Sequence, residues 1–265
     1  MTGRFGGYED QEFVAEFYDP VYDKLRQKDV KFFIDYAKRV KEGTLELGCG
    51  TGRILIPTAI CGCEITGLDL SPHMLQKCRE KLDRQPREVQ ERVSLIQGNM
   101  TDFKTGETYA LIMIPFRAFQ HLTSAEEQKA CLDCANKHLT PQGLLILDLF
   151  HPFLPRLYDS QYMNEVEDVT DLKLPDGRNL RRTTRTAAFH RDEQYSDVEI
   201  IYYVTHLDGR AERLVQAFPM RYSFRYEVEH LLSICGFRVV NLFGDFDRSA
   251  FSSDSPEMIF VAEKQ

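Results

Sequence analysis

Three alternating glycines follow an apolar run in the segment TLELGCGTGR, which covers residues 44–53, and a second apolar run begins at Ile54. A strand that ends in a Gly-rich turn and opens a helix leaves the first backbone N–H groups of that helix free to bind a ligand. Glycine at positions 48, 50 and 52 removes the side chains that would keep a ligand away from the chain. The segment therefore predicts a strand–turn–helix ligand site with the carboxylate of Glu46 beside it.

Short apolar runs alternate with longer amphipathic ones around this segment. The runs predict strands at 44–47, 64–70, 93–97, 109–114 and 144–149, and helices at 30–40, 53–60, 71–82 and 124–138. Ser71, followed by Pro72, is typical of a helix start, as is Thr123 or Ser124, and Pro-Gln-Gly at 141–143 is typical of a turn. The alternation predicts a parallel sheet that is covered on both faces.

The pattern changes after residue 150. Asp176-Gly177 and Asp208-Gly209 are hairpin-turn dipeptides, and the β-rich runs around them predict an antiparallel meander at 168–224. A helix at 226–235 that ends at Gly236, and strands at 237–242 and 258–262, then restore the first pattern. The predicted fold class is α/β: a Rossmann-like, seven-stranded, mainly parallel sheet with helices on both faces, plus an antiparallel β-meander insertion after strand five. We expect one domain over 1–265, with an N-terminal helical segment (1–41), a core (42–150 and 225–265) and the insertion (151–224).

Composition narrows the function classes. The net charge of −8 and the pI near 5.5 disfavour nucleic acid and anionic membranes as partners. No apolar run approaches the roughly 18 residues of a membrane span, and the first residues do not resemble a signal peptide, so we expect a cytoplasmic protein. Seven cysteines, an odd number, suggest free thiols. The four arginines between 178 and 185 favour a solvated strand, with anion binding as the alternative.

The glycine segment resembles motif I of the class I S-adenosylmethionine-dependent methyltransferases. The motif E/D-x-G-x-G-x-G is met by Glu46, Gly48, Gly50 and Gly52, whereas the dinucleotide fingerprint G-x-G-x-x-G fails because its last position is Arg53. Asp69, 17 residues after Gly52, matches the acidic residue that takes the ribose hydroxyls in that family. Residues 98–100 (Gly-Asn-Met) resemble the segment that meets adenine, although this chain has Asn99 where an acid is common.

The resemblance implies S-adenosylmethionine as cofactor and two sets of site residues. The expected cofactor-binding residues are Tyr18, Glu46, Gly48, Cys49, Gly50, Gly52, Arg53, Asp69, Leu70, Met74, Asn99, Met100 and Ile114. The expected acceptor-binding residues are Tyr22, Phe116, Arg117, His121 and His151. No catalytic residue is assigned, because methyl transfer from a sulfonium needs mainly alignment and exclusion of water.

The residues after strand four bear on the acceptor. Enzymes that methylate amino groups of nucleic-acid bases carry an acidic or amide residue before Pro-Pro-aromatic, and Ile114-Pro-Phe116 lacks it. Residues 119–122 (Phe-Gln-His-Leu) resemble small-molecule enzymes, including glycine and aminosugar N-methyltransferases, in which a β insertion roofs the acceptor pocket. His121 is a candidate base or substrate contact, with a structural role as the alternative. Tyr18 and Tyr22 resemble the N-terminal aromatic lid of these enzymes, or else pack in the core.

The expected function is methylation of a small-molecule acceptor, at nitrogen rather than oxygen or carbon. A non-catalytic S-adenosylmethionine-binding regulatory or scaffold protein and a nicotinamide-dependent oxidoreductase are the alternatives. The β-rich run at 198–205 is apolar on both faces, which allows a homodimer through the insertion. No metal is expected, because nothing brings the cysteine pair at 61 and 63 to the pair at 131 and 134.

Overall fold

A seven-stranded sheet forms the centre of the molecule in the computed structural model, which describes residues 11–25, 28–40 and 43–265. Parts of the expected N-terminal segment and core, residues 1–10, 26–27 and 41–42, therefore lie outside the described residues. The strands of this sheet are β1 (Thr44–Leu47), β2 (Ile65–Asp69), β3 (Val93–Gln97), β4 (Tyr109–Ile114), β5 (Leu139–Phe150), β10 (Phe237–Phe243) and β11 (Glu257–Lys264). Their order is β10-β11-β5-β4-β1-β2-β3, with β1 to β5 parallel and β11 antiparallel to both neighbours. The predicted fold class is confirmed.

Helices cover both faces of this sheet. The helices of the described residues are α1 (Glu12–Leu25), α2 (Lys28–Ala37), α3 (Leu55–Ile60), α4 (Pro72–Leu82), α5 (Arg87–Gln90), α6 (Ala125–His138) and α7 (Arg225–Ile234), of which α1 lies outside this sheet and packs on α4. The expected start signals are in place: Ser71 Oγ accepts a hydrogen bond from the Met74 N–H, and Ser124 forms a capping box with Glu127. Within the described ranges, no helix has the length and apolar character needed to cross a membrane.

Two apolar layers explain the uninterrupted apolar runs at the centre of the sheet, in β4 and at residues 144–147 of β5. Leu45, Ile112 and Leu145 point into one buried cluster, whereas Leu111 and Ile146 point into the other, on the opposite face. Successive side chains of a strand alternate between faces, so a strand that is covered twice carries apolar residues on both faces.

The insertion forms a second, antiparallel sheet in the order β6-β7-β8-β9, with β6 (Val166–Lys173), β7 (Asn179–His190), β8 (Tyr195–Thr205) and β9 (Ala211–Arg221). Gly177 and Gly209 have φ angles of 90° and 84° in two of its turns, as the predicted hairpins require. The inner face of this second sheet, which includes Ile200, Tyr202 and Phe218, packs against α1.

The arginines of β7 and of the turn before it are all paired with carboxylates. Arg178 contacts Glu16 and Asp176, while Arg181 and Arg185 pair with acidic residues of the neighbouring strands. Arg182 differs because its side chain is only 4% exposed, in a two-pronged contact with Asp168 at 3.0 and 2.7 Å. The solvated-strand interpretation therefore suits Arg181 and Arg185, but not Arg182.

One expected turn is wrong. Residues 141–143 lie inside β5, where Gln142 adopts a φ of 63° and the pairing with β4 shifts from Tyr109↔Leu139 to Leu111↔Leu144. The Pro-Gln-Gly residues therefore form an irregularity within one long strand. Strand pairing on both sides of the irregularity overrides the local turn preference.

Candidate active site

A cleft opens at the carboxyl ends of β1, β2 and β4, where ligands bind in sheets of this topology. Counted with its open mouth, it encloses about 830 Å³. The residues that line it are Tyr18, Gly48, Gly50, Leu68, Asp69, Leu70, Ser71, Met74, Gly98, Asn99, Met100, Pro115, Phe116, Ala118, His121 and Leu122. Asp69 is the charged member of this otherwise neutral and largely apolar set.

The three glycines of the loop are needed for different reasons. All have positive φ, but a Cβ on Gly48 would lie 2.8 Å from the Ala118 Cβ, and one on Gly52 would lie 2.6 Å from the Cys78 Sγ. A Cβ on Gly50 would have no heavy atom of the described chain within 4 Å. Gly48 and Gly52 thus let the loop pack on the protein, whereas Gly50 keeps the cleft itself clear.

Asp69 is held in one orientation by the backbone. Its Oδ2 accepts a hydrogen bond from the Gly50 N–H at 2.7 Å, and its Oδ1 accepts one from the Ser71 N–H at 2.8 Å. Burial raises the pKa of Asp69, and these two bonds oppose that shift. Each oxygen keeps a further lone pair, so the fixed carboxylate can accept hydroxyl donors from a ligand in the cleft.

Glu46 and Arg53 lie behind the loop. Glu46 is 2% exposed, its Oε2 has no hydrogen-bond partner among the described residues, and burial raises its pKa to about 8. Arg53 donates to both oxygens of Asp29 at 2.9 and 2.5 Å, and its guanidinium lies 5.1 Å from the Phe116 ring centroid. Glu46 is thus mainly protonated at pH 7, and Arg53 ties α2 to the loop.

An aromatic group forms part of the cleft wall. The Tyr22 ring lies 4.8 Å from Tyr18 and 4.9 Å from Phe116, centroid to centroid. His121 also lines the cleft, and its ring centroid lies 5.1 Å from that of Phe218 of the second sheet. Burial lowers the pKa of His121 to about 4, so its imidazole is neutral at pH 7.

The structure does not bring Arg117 or His151 to the cleft. Phe116 and Arg117 both have positive φ, 54° and 65°, so the chain turns sharply after β4. Phe116 faces the cleft, while Arg117 turns away and donates to Glu257 at 2.8 Å. His151 contacts the Ser255 carbonyl at 2.8 Å, beyond the end of β5.

Most of the expected cofactor residues are brought together. Tyr18, Gly48, Gly50, Asp69, Leu70, Met74, Asn99 and Met100 line the cleft, as do Phe116 and His121 of the acceptor set. Glu46, Cys49, Gly52, Arg53 and Ile114 stand behind this wall, and Tyr22 contacts it through Phe116. Sequence reasoning did not assign the lining residues Leu68, Ser71, Pro115, Ala118 and Leu122 to the site, although each lies in or next to a segment that it singled out. Gly98, in the segment expected to meet adenine, does line the cleft.

Two polar side chains to which the sequence assigned no role hold the wall. Asp148 of β5 accepts a hydrogen bond from the Phe116 N–H at 2.9 Å and so supports the strained turn. Gln120 accepts from the Phe150 N–H at 3.0 Å and donates to the Arg221 carbonyl at 2.8 Å, which joins the second sheet to the core. The described part of the chain contains no group of three or more His, Cys, Asp or Glu residues arranged to hold a metal ion.

Comparison with known proteins agrees with this geometry. Residues 44–143 match the family model described as a methyltransferase domain. The chain is 24% identical to the cypemycin N-terminal methyltransferase of Streptomyces sp over 83% of this chain and 82% of that protein. It is 23% identical to the dTDP-3-amino-3,4,6-trideoxy-alpha-D-glucopyranose N,N-dimethyltransferase of Streptomyces venezuelae over 76% of this chain and 77% of that protein. The solved structure of the CcbJ methyltransferase from Streptomyces caelestis matches it with a TM-score of 0.74 and 22% identity over 98% of each chain.

Proposed function

Because this chain belongs to the class I S-adenosylmethionine-dependent methyltransferases, we propose that it transfers a methyl group to the nitrogen of a small-molecule amine. The observation that carries the proposal is one cleft lined by two kinds of residue. We assign Gly50 and the Asp69 carboxylate to a first end, which suits a nucleoside, and Tyr18, Phe116 and His121 to a second end, where the transferred methyl would meet an uncharged acceptor.

The residues of the first end fit the cofactor. Gly50 leaves space for a ligand against the backbone, and the fixed carboxylate of Asp69 can accept both hydroxyls of a ribose. Asn99 and Met100 can contact an adenine by hydrogen bonding and packing, although Asn99 Oδ1 already accepts from the Thr101 N–H at 3.0 Å. When bound, the cofactor supplies an activated methyl group for an in-line displacement.

The second end favours a neutral nitrogen. Its aromatic side chains exclude water, so a charged ammonium would lose its hydration there, whereas the free-base amine needed for attack would lose little. Neutral His121 can accept a hydrogen bond from an acceptor N–H and so orient the nitrogen lone pair. With a pKa of about 4, His121 positions the amine rather than removing its proton.

The names of two relatives indicate which acceptor classes to test. One relative is named for the N-terminus of cypemycin and the other for a dTDP-3-amino sugar. We therefore propose amino sugars and N-terminal amines as candidate acceptors of this chain.

The proposal extends to the setting of the enzyme. We place the acceptor lid in the insertion (151–224), the N-terminal lid in 1–41 and the cofactor core in 42–150 and 225–265, in a cytoplasmic protein without nucleic-acid or membrane partners. A homodimer through the insertion is supported by the exposed apolar side chains of Phe153, Leu154, Tyr158 and Val166. Light scattering coupled to size exclusion tests the dimer, and a monomeric mass would contradict it.

The experiment measures formation of S-adenosylhomocysteine with a panel of amino sugars and short peptides. Each amine is paired with its N-acetylated counterpart, which keeps the hydroxyl groups but removes the nucleophilic lone pair. We expect turnover with at least one free amine and with no acetylated partner. Methylation of an acetylated partner would indicate oxygen transfer. Cofactor binding without turnover across the whole panel would favour a regulatory subunit.

A further inference from the structure

Helix α1 lies between the cleft and the second sheet. On one side, Val14 and Ala15 pack against Met74, and Tyr18 lines the cleft directly. On the other side, Phe17 and Val21 belong to the apolar cluster of the second sheet. Because α1 stands outside both sheets, side-chain contacts decide its position.

A polar cluster ties α1 to the glycine loop. Asp19 Oδ1 accepts a hydrogen bond from Thr51 Oγ1 at 2.5 Å, and Asp19 Oδ2 accepts one from Lys81 Nζ at 2.8 Å. Lys81 Nζ also lies 3.4 Å from Thr51 Oγ1, which closes the triangle. Thr51 is fully buried between Gly50 and Gly52. One carboxylate thus joins α1, the loop and α4 through charge-assisted bonds.

The backbone of α1 is weakest next to this tie. Pro20 lies inside the helix and has no N–H, so the Glu16 carbonyl receives no helical hydrogen bond from it. Tyr18 precedes Asp19 by one residue. The side-chain bonds of Asp19 therefore add to the apolar contacts that hold Tyr18 in the cleft wall.

We propose that Asp19, Thr51 and Lys81 form a latch that holds α1, and Tyr18 with it, against the cleft, and that this latch sets the rate at which S-adenosylhomocysteine leaves. Asp19 is a positioning residue that acts through Thr51 and Tyr18. The proposal rests on the cofactor end of the proposed function and is independent of the identity of the acceptor.

The test combines dissociation rates with amide exchange. Surface plasmon resonance of S-adenosylhomocysteine should show dissociation about tenfold faster for Asp19→Ala and for Thr51→Val, because each loses the same charge-assisted bond. The double variant should be no faster than Asp19→Ala alone, because Thr51 acts through Asp19. In the ligand-free protein, Asp19→Ala should speed hydrogen exchange in α1 about tenfold and leave β4 unchanged.

The matched control is Glu16→Gln, which removes an ion pair between α1 and Arg178 but leaves the latch intact. It should release the ligand at the wild-type rate. If a buried variant does not fold, the same dissociation and exchange measurements are made on Lys81→Met, because Lys81 is partly exposed and lies outside the cleft. Unchanged α1 exchange in Asp19→Ala would overturn the latch even if no acceptor were ever found. So would dissociation effects of Asp19→Ala and Thr51→Val that multiply in the double variant.

Discussion

Replacing Gly50 by alanine should separate the ligand role of the loop from its role in folding. The φ of 54° makes an L-residue cost about 1–2 kcal/mol, but the added methyl meets no heavy atom of the described chain within 4 Å. The variant should therefore fold, with a stability loss of that size. Its methyl enters the space that the cofactor needs, so we expect S-adenosylhomocysteine to bind at least tenfold more weakly, about 1.4 kcal/mol.

Gly106 provides the matched control. It has a φ of 75°, a Cβ there would also meet nothing within 4 Å among the described residues, and it lies away from the cleft. Gly106→Ala should lose similar stability in urea unfolding and keep wild-type affinity in calorimetry. Equal affinities of the two variants would refute the assignment of the Gly50 space to the cofactor.

Three further predictions concern ionisable groups. Asp69→Ala should weaken S-adenosylhomocysteine binding by about 1.5–3 kcal/mol in calorimetry, through loss of charge-assisted bonds, and unchanged affinity would remove Asp69 from the site. The pKa of Glu46 is raised from 4.5 to about 8, so folding takes up a proton between these values and wild-type stability falls as pH rises through that window. Between pH 4.5 and 8, the free energy of unfolding of Glu46→Gln in urea should therefore rise relative to that of wild type by up to about 5 kcal/mol. Parallel pH profiles of the two unfolding free energies would contradict this. The pKa of His121 is lowered from 6.5 to about 4, so wild type should lose about 3 kcal/mol relative to His121→Gln as pH falls through that range; no relative loss would show an unburied imidazole.

The sequence was informative wherever function or folding restricts the residue type locally. A side chain would clash at Gly48 and Gly52 and would fill the cleft at Gly50. At position 69, only a residue with two acceptor oxygens can accept both backbone N–H groups. The cap at Ser71 depends on contacts within one turn. These features could be predicted because their causes lie within a few residues along the chain.

The remaining features depend on contacts between distant segments. Arg117 follows Phe116 directly, yet the two point apart because Asp148, 32 residues beyond Phe116, fixes the turn. The hydrogen bond between Asp19 and Thr51 joins residues 32 positions apart. Asp19 is one of several acidic residues in its segment, so the local sequence does not indicate which of them makes this bond. Residues 141–143 have turn chemistry but lie within a strand, since pairing with β4 continues on both sides.

The crystal structure of the complex with S-adenosylhomocysteine tests the central claim most directly. We predict that both ribose hydroxyls lie within hydrogen-bonding distance of the Asp69 carboxylate and that the sulfur faces the space between Tyr18, Phe116 and His121. A ligand bound elsewhere, or a sulfur that faces away from these three side chains, would contradict the account.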